Sequence, residues 1–362
     1  MYTLDILNGE VLFMKVAVIG CGTIANSAHI PSYMANKEAE IKYFCDIILE
    51  KAEAAAQKYG CGTAIADYKV ALEDPEVEAI SVCTPNYCHH TITIDALKAG
   101  KHVLCEKPAA RTLKEANEML EAQHKYGKTL NIGVVNRFNT NVNRIKKLID
   151  EGELGEVYHV YVSFREHRSI PGLGGAFTTK EIAGGGVLID WGVHFLDIVM
   201  YCCGDPEAKT ISSEAFSKLG NPMEEYVYKN MWAGPPKLDG TYDVEESITG
   251  IVRTTGPVIS FNGAWAQNIG EREMFIDFMG TKGGIRLQYG GDFILYSTKG
   301  DCLTETKFAG QSEPMFQNEI DSFIECIKSG EKLPSHIDYN ILTSKMMEAI
   351  YKSASEHKEV TL

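Results

Sequence analysis

Between residues 15 and 133 short apolar runs alternate with helical patterns, and this alternation restricts the fold more than any other feature of the chain. Six runs read as strands: 15–20, 41–45, 63–66, 79–83, 102–105 and 129–133. Helix-like stretches at 50–59, 89–99 and 113–126 lie between them. Strands and helices in strict alternation need crossover connections, which are right-handed and give a parallel sheet covered on both faces. Six such strands make a doubly wound, dinucleotide-binding sheet, an α/β fold.

Beyond about residue 135 the pattern changes. A helix over 141–151 ends at Gly152, and strand-like runs then dominate. In 157–167, Tyr158, Val160, Val162 and Phe164 alternate with His159, Tyr161, Ser163, Arg165 and His167. That period of two gives one apolar face for covering helices and one polar face. Further runs at 247–254, 257–265, 274–279, 284–289 and 293–297 predict an α+β domain on an open, mostly antiparallel sheet. The polar face must meet solvent, a substrate or another subunit, and since such sheets commonly form subunit interfaces a homo-oligomer is expected. Residues 217–243, rich in Gly, Pro, Asn and Tyr, read as a long excursion near a substrate pocket. Helices at 316–329 and 340–355 close the chain. The resulting division is 1–13 as an N-terminal extension, 14–134 as the nucleotide domain, 135–336 as the substrate and oligomerisation domain, and 337–362 as a C-terminal helix.

At 362 residues two domains are the default, and 44% hydrophobic with 23% charged residues is ordinary for a globular chain. The net charge of −14 argues against nucleic-acid binding, which needs clustered Lys and Arg, and reads as solubility. No segment offers the roughly 18 uninterrupted apolar residues that span a bilayer, and the first 13 lack a basic start or a cleavage site. Ten scattered cysteines, with no Cys-x-x-Cys pair, support neither a zinc site nor disulfides and suggest a reducing cytoplasm.

Gly20-Cys21-Gly22-Thr23-Ile24-Ala25 follows the first strand and opens a helix. Gly20 allows the tight turn, Gly22 lets a pyrophosphate approach, and Ala25 permits close packing; the helix start supplies N–H donors. The motif gains weight from Asp46, 21 residues past Ala25 at the end of the second strand. A carboxylate there can bind the adenosine ribose, although a helix-capping role fits equally well in isolation. Ile47 and Ile48 offer no cation for a 2′-phosphate, which favours NAD over NADP. Thr84-Pro85-Asn86, with Cys88 and His89, follows the fourth strand, where loops face the cofactor crevice; a turn with Asn86 starting the helix is compatible.

Glu106-Lys107-Pro108 follows the fifth strand, where Glu106 and Lys107 can reach the nicotinamide end and Pro108 can adopt a cis bond. Read alone, Lys107 is better taken as a solvated lysine in an ordinary turn. Gly184-Gly185-Gly186-Val187-Leu188-Ile189-Asp190-Trp191-Gly192-Val193-His194 supplies the context. Three glycines allow close backbone approach to a ligand. Asp190 and His194, four apart on a helix, share a face where the carboxylate can orient the imidazole. Read alone, the pair is better taken as an N-cap Asp and a core His.

Four ordered landmarks, Val18–Ala25, Cys83–His90, Glu106–Pro108 and Gly184–His194, make the chain from Met14 to near Leu362 resemble the glucose–fructose oxidoreductase / inositol dehydrogenase (Gfo/Idh/MocA) family. The resemblance implies a Rossmann domain, then an α/β domain with an open sheet, and NAD(P)-dependent sugar oxidation. It implies that Lys107, Asp190 and His194 act together as the catalytic set. It puts Arg137 beside nicotinamide and substrate, and lets the last helix pack back on the first domain. His194 is then the base, Asp190 orients it, and Lys107 hydrogen-bonds the oxygen being oxidised. Arg165, His167, Arg168, Trp191 and Trp232 are sugar-contact candidates. The aromatic excursion, with Tyr226, Tyr228, Trp232 and Tyr242, suits a glycoside, and the second half looks most like members that oxidise the 3-hydroxyl of glucosides. An NAD-dependent glycosidase working through transient oxidation, and a non-catalytic nucleotide-binding regulator, are the alternatives.

Overall fold

The computed structural model describes residues 6–7, 10–11, 13–229, 231–309 and 314–362. The expected extension over 1–13 lies largely outside these; within it, β1 (Ile6–Leu7) and β2 (Glu10–Val11) pair antiparallel. The chain divides into two compact units, one of Met1–Ala110, Lys114–Phe138 and Pro314–Asp338, the other of Arg111–Leu113, Asn139–Glu313 and Tyr339–Leu362.

The first unit holds a six-stranded parallel sheet made of β3 (Met14–Ile19), β4 (Ala39–Cys45), β5 (Thr63–Ile65), β6 (Val77–Val82), β7 (His102–Glu106) and β8 (Leu130–Gly133). Their spatial order is β5-β4-β3-β6-β7-β8, so the direction of winding reverses between β3 and β6. The strands form because their sequences are apolar and β-branched, and Val16, Ala17 and Val18 of β3 are wholly buried, as a sheet covered on both faces requires. The crossovers include α1 (Ile30–Ala35), α2 (Leu49–Tyr59), α3 (Lys69–Glu73), α4 (Asn86–Lys98) and α5 (Leu113–Tyr126).

Helix α2 shows how local sequence sets an element. Alanines dominate it, Ala52 and Ala55 turn inward, and Glu50 and Lys58 sit at the ends that suit the helix dipole. It stops where Gly60 takes φ +66° and donates its N–H to Ala56 O at 2.9 Å. Cys21 and Cys45 behave as small hydrophobes; burial pushes both thiols up to about 12.

The second unit contains α6 (Thr140–Asp150), α7 (Lys180–Ala183), α8 (Val193–Cys202) and a nine-stranded sheet. Its strands are β9 (Val157–Arg165), β10 (Ala208–Phe216), β11 (Ser247–Thr254), β12 (Val258–Ala264), β13 (Glu273–Gly280), β14 (Gly283–Gln288), β15 (Phe293–Lys299), β16 (Cys302–Phe308) and β17 (Val360–Thr361). The order is β16-β15-β14-β13-β9-β12-β11-β10-β17, antiparallel throughout except for β9 against β12. Register puts Val160 beside Ile259 and Phe278, and Val162 beside Phe261 and Ile276, so one face is continuously apolar. Phe164 on that face stacks on Phe195 of α8 at 5.2 Å. The other face carries half-buried polar and aromatic groups, among them Tyr161 against Phe275 and the Arg286–Asp277 pair.

Two helices differ from expectation. Helix α9 (Met315–Ser329), placed by sequence in the second domain, belongs to the first unit. Its Ile320, Phe323 and Ile324, spaced for one face, pack with Val16, Val18, Ile30 and Tyr33. Helix α10 (Ile337–Glu356), expected to pack back on the first domain, instead sends Met346, Met347, Ala349 and Ile350 into the core of the second unit.

Candidate active site

Because all six strands of the first unit's sheet run parallel, the loops leaving β3, β4, β6, β7 and β8 emerge at one edge. Gly20 takes φ +95° with its Cα facing the Cys83 carbonyl, so a side chain there would collide with the next loop. Its N–H donates to Cys45 O at 2.7 Å. A Cβ at Gly22 would meet nothing within 4 Å, leaving open space above the loop. Helical geometry begins at Thr23 and Ile24, and a π turn over Ala25–His29 leads into α1. Asp46 spans this cradle, accepting from Cys21 N at 3.0 Å and from Ile48 N at 2.9 Å. The second contact is a local turn bond. The helix that follows is capped at Ile48 without any side chain, so the capping role is not what Asp46 performs.

On the neighbouring loop, Thr84 Oγ1 is buried with no hydrogen-bond partner among the described residues. Pro85 precedes α4, and Asn86 is its first residue. His89 is fully buried, with Nδ1 2.8 Å from Pro108 O and Nε2 2.9 Å from Thr84 O. Neither ring nitrogen is left for a ligand, which corrects the expectation that His89 binds the cofactor directly.

Glu106 ends β7 almost entirely buried. Its Oε1 lies 2.7 Å from His29 Nε2, and its Oε2 accepts from Lys107 N at 3.1 Å. Burial pushes the carboxyl up, but the His29 hydrogen bond and the nearby charge of Lys107 outweigh it and hold it below the usual range. The Lys107–Pro108 bond is cis, as expected. Arg137, in the turn Val135–Phe138 after β8, is 2% exposed and donates from Nη1 to Pro334 O at 2.7 Å. Gly20, Gly22, Thr23, Ile24, Asp46, Thr84, Pro85, Asn86, Glu106, Lys107 and Arg137 thus all belong to the loops of one sheet edge.

In the second unit, a π turn over Leu188–Gly192 carrying Asp190 and Trp191 runs directly into α8, which carries His194. Asp190 Oδ2 accepts from the indole Nε1 of Trp265 at 3.2 Å. Trp265 is wholly buried just past β12. The glycine triplet before this run has a cause other than the expected ligand. A Cβ at Gly186 would lie inside the Glu245 backbone, one at Gly185 would strike the Tyr351 ring, and Gly184 has φ +91° against Arg111. Glu245 fills the start of the helical run, accepting from Gly186 N at 3.0 Å, Leu188 N at 3.1 Å and Tyr351 OH at 2.8 Å. Burial nevertheless pushes its carboxyl above the usual range.

Glu246, next along, accepts from Lys218 N, Leu219 N, Gly220 N and Tyr242 OH, and so pins the 217–243 excursion. Tyr242 is therefore a tether, and Tyr226 is buried in the core with its hydroxyl near Ile170 N. Tyr228 and Trp232 remain exposed, Trp232 with its ring against Phe177. Arg165 requires a correction. It lies on the sheet face opposite Phe164, which stacks on α8, and its Nε and Nη2 both donate to Glu273, so its guanidinium is engaged in an ion pair on that face. His167 Nδ1 lies 3.0 Å from Gln267 O, and Arg168 donates to Gln267 O and Asn268 Oδ1.

Sequence reasoning missed Trp265, Glu245, Glu246 and Tyr351. An indole ending an apolar strand had to find an acceptor, and that was the available signal. Nothing local marks two adjacent acids as buried.

Residues 14–134 match the family described as "Oxidoreductase family, NAD-binding Rossmann fold", and residues 142–286 match "GFO/IDH/MocA C-terminal domain". D-glucoside 3-dehydrogenase of Escherichia coli (strain K12) is 30% identical over 351 residues, spanning 96% of this chain and 97% of that protein. Myo-inositol 2-dehydrogenase of Thermotoga maritima is 23% identical over 356 residues, 96% and 98% of the two chains. Among solved structures, levoglucosan dehydrogenase with NADH and levoglucosan aligns with TM-score 0.84 at 20% identity over 96% of this chain and 99% of the other, a likeness of fold.

Proposed function

Because the chain belongs to the GFO/IDH/MocA family of oxidoreductases, we propose that it oxidises a secondary hydroxyl of a sugar, polyol or glycoside with NAD, its target being the 3-hydroxyl of a glucoside. The observation carrying this reading is the end-to-end relation to a D-glucoside 3-dehydrogenase, 30% identity across 96% of the chain. The open space above Gly22 and the unpartnered Thr84 hydroxyl fit a bound dinucleotide. Gly20, Gly22, Thr23 and Ile24 would hold the pyrophosphate, and Asp46 the adenosine ribose. Thr84, Pro85 and Asn86 would line the crevice, with Glu106, Lys107 and Arg137 towards the nicotinamide. NAD there supplies a hydride acceptor.

The protein's own part is acid–base work and positioning. His194 takes the hydroxyl proton, and Asp190, fixed by the Trp265 indole, orients the imidazole. Lys107 donates a hydrogen bond to the oxygen as it becomes a carbonyl, and Trp191 offers an aromatic surface to the sugar. The free thiols fit a cytoplasmic protein, and the half-buried Tyr161 and Phe275 on the open sheet face fit a homo-oligomer.

The test is an NADH-absorbance screen of glucosides, inositols and free sugars with wild type and Lys107→Met. Turnover in the variant should fall about 10²–10⁴-fold with NAD affinity nearly intact. Turnover near wild type in Lys107→Met would remove Lys107 from the reaction. Cleavage of the glycosidic bond without accumulating NADH would identify a glycosidase instead.

A further inference from the structure

His89 stands at the start of α4 with both ring nitrogens within hydrogen-bond reach of backbone carbonyls, Pro108 O at 2.8 Å and Thr84 O at 2.9 Å. A carbonyl oxygen accepts and cannot donate. A neutral imidazole has one N–H, so one of the two contacts would set a nitrogen lone pair against an oxygen lone pair in a fully buried place. Both contacts become hydrogen bonds when both nitrogens carry protons.

We infer that His89 is a standing imidazolium that ties the Thr84 turn to the Pro108 carbonyl, and is a positioning residue for Lys107. The groups facing its ring are the Thr84 carbonyl from the loop after β6, the Pro108 carbonyl from the loop after β7, and the Cys105 thiol from β7 itself. Burial opposes the charge, the sulfur and the two carbonyls favour it, and the imidazole is pushed up to about 9. Lys107 is then gripped from both sides. Its own N–H is held by Glu106, which His29 anchors at 2.7 Å, and the carbonyl of the residue after it is held by His89. The Thr84 turn carries the unpartnered hydroxyl, so the same cation joins a surface that fits the dinucleotide to the lysine. The positioning role rests on the proposed part of Lys107 in the reaction; the charge on His89 does not.

Two measurements on the full-length chain test this. In nitrogen NMR of histidine-labelled protein at about pH 8, where an ordinary imidazole is neutral, one histidine should show both ring nitrogens protonated, and that signal should vanish in His89→Gln. A neutral-tautomer pattern for the signal lost in His89→Gln overturns the charge. In kinetics, His89→Gln should lower kcat about 10- to 100-fold with a smaller change in the sugar KM. His89→Leu, which keeps no donor at all, should lower kcat further than His89→Gln, whose amide still donates to one carbonyl. In a Lys107→Met background His89→Gln should have little further effect, because it acts through the lysine. An equal fold-loss in both backgrounds, or unchanged kcat in His89→Gln, overturns the positioning role. If Lys107→Met itself turns over normally, the proposed reaction role of Lys107 fails and the positioning claim with it, while the NMR result still decides the charge.

Discussion

Glu319 on α9 is 1% exposed, and neither carboxyl oxygen has a hydrogen-bond partner among the described residues. Burial, with the neighbouring charge of Glu106, pushes its carboxyl well above the usual range. The unfolded chain releases this proton at about pH 4.3, whereas the folded chain keeps it. Above that value the folded state binds more protons, so its stability falls as pH rises until the folded carboxyl also ionises. Glu319→Gln keeps the shape and removes the titration. Its Tm advantage over wild type should grow between about pH 5 and about pH 8; an advantage that is flat with pH contradicts the assignment. At this scale the sequence was uneven. Lys107, Asp190 and His194 stand in recognisable runs, and Gly20 announces its turn. Glu319, Glu245 and Trp265 owe their roles to partners tens or hundreds of residues away, which no local pattern encodes. Arg165 looked like a sugar contact because it ends a polar strand face; that face is the one turned away from α8.

The helical run that carries Asp190 and His194 begins against a buried carboxylate. Two of its early N–H groups, which no turn of helix can satisfy, donate to Glu245. Glu245→Ala would strand both together with the Tyr351 hydroxyl, each at a cost of about 1–3 kcal/mol. Tm should fall sharply and kcat with it, because both site residues ride on this run, and Glu245→Gln should restore much of the loss. A Glu245→Ala protein with wild-type Tm would show that the contact is idle. Elements were legible where burial was complete. The β-branched strands of the parallel sheet stood out, as did the alternation of β9. Strand β10 (Ala208–Phe216) was missed because its Lys, Ser and Glu residues dilute any period of two, and β16 because most of its residues are exposed.

At the scale of the whole chain, alternation followed by a shift to β-rich sequence gave both sheets correctly in kind. Where each late helix packs was not legible. The spacing of Ile320, Phe323 and Ile324 says that one face of α9 is buried, but cannot say against which sheet, and the same holds for α10. The excursion over 217–243 reads as irregular chain, and its described residues are so apart from a 3-10 turn at Met223–Glu225; its anchoring on Glu246 does not show, since an acid is ordinarily exposed. Family membership rests on matches in both units, and the central claim is the proposed transfer of a hydride from the 3-hydroxyl of a glucoside to NAD with the help of Lys107. The most direct measurement of that claim uses a methyl glucoside deuterated at C3, mixed with NAD and the full-length protein. Deuterium should pass to the reduced cofactor in step with a 3-oxo glucoside whose glycosidic bond is intact, and should cease to pass in Lys107→Met. Deuterium that stays on the sugar while wild-type protein binds both glucoside and NAD would contradict the account.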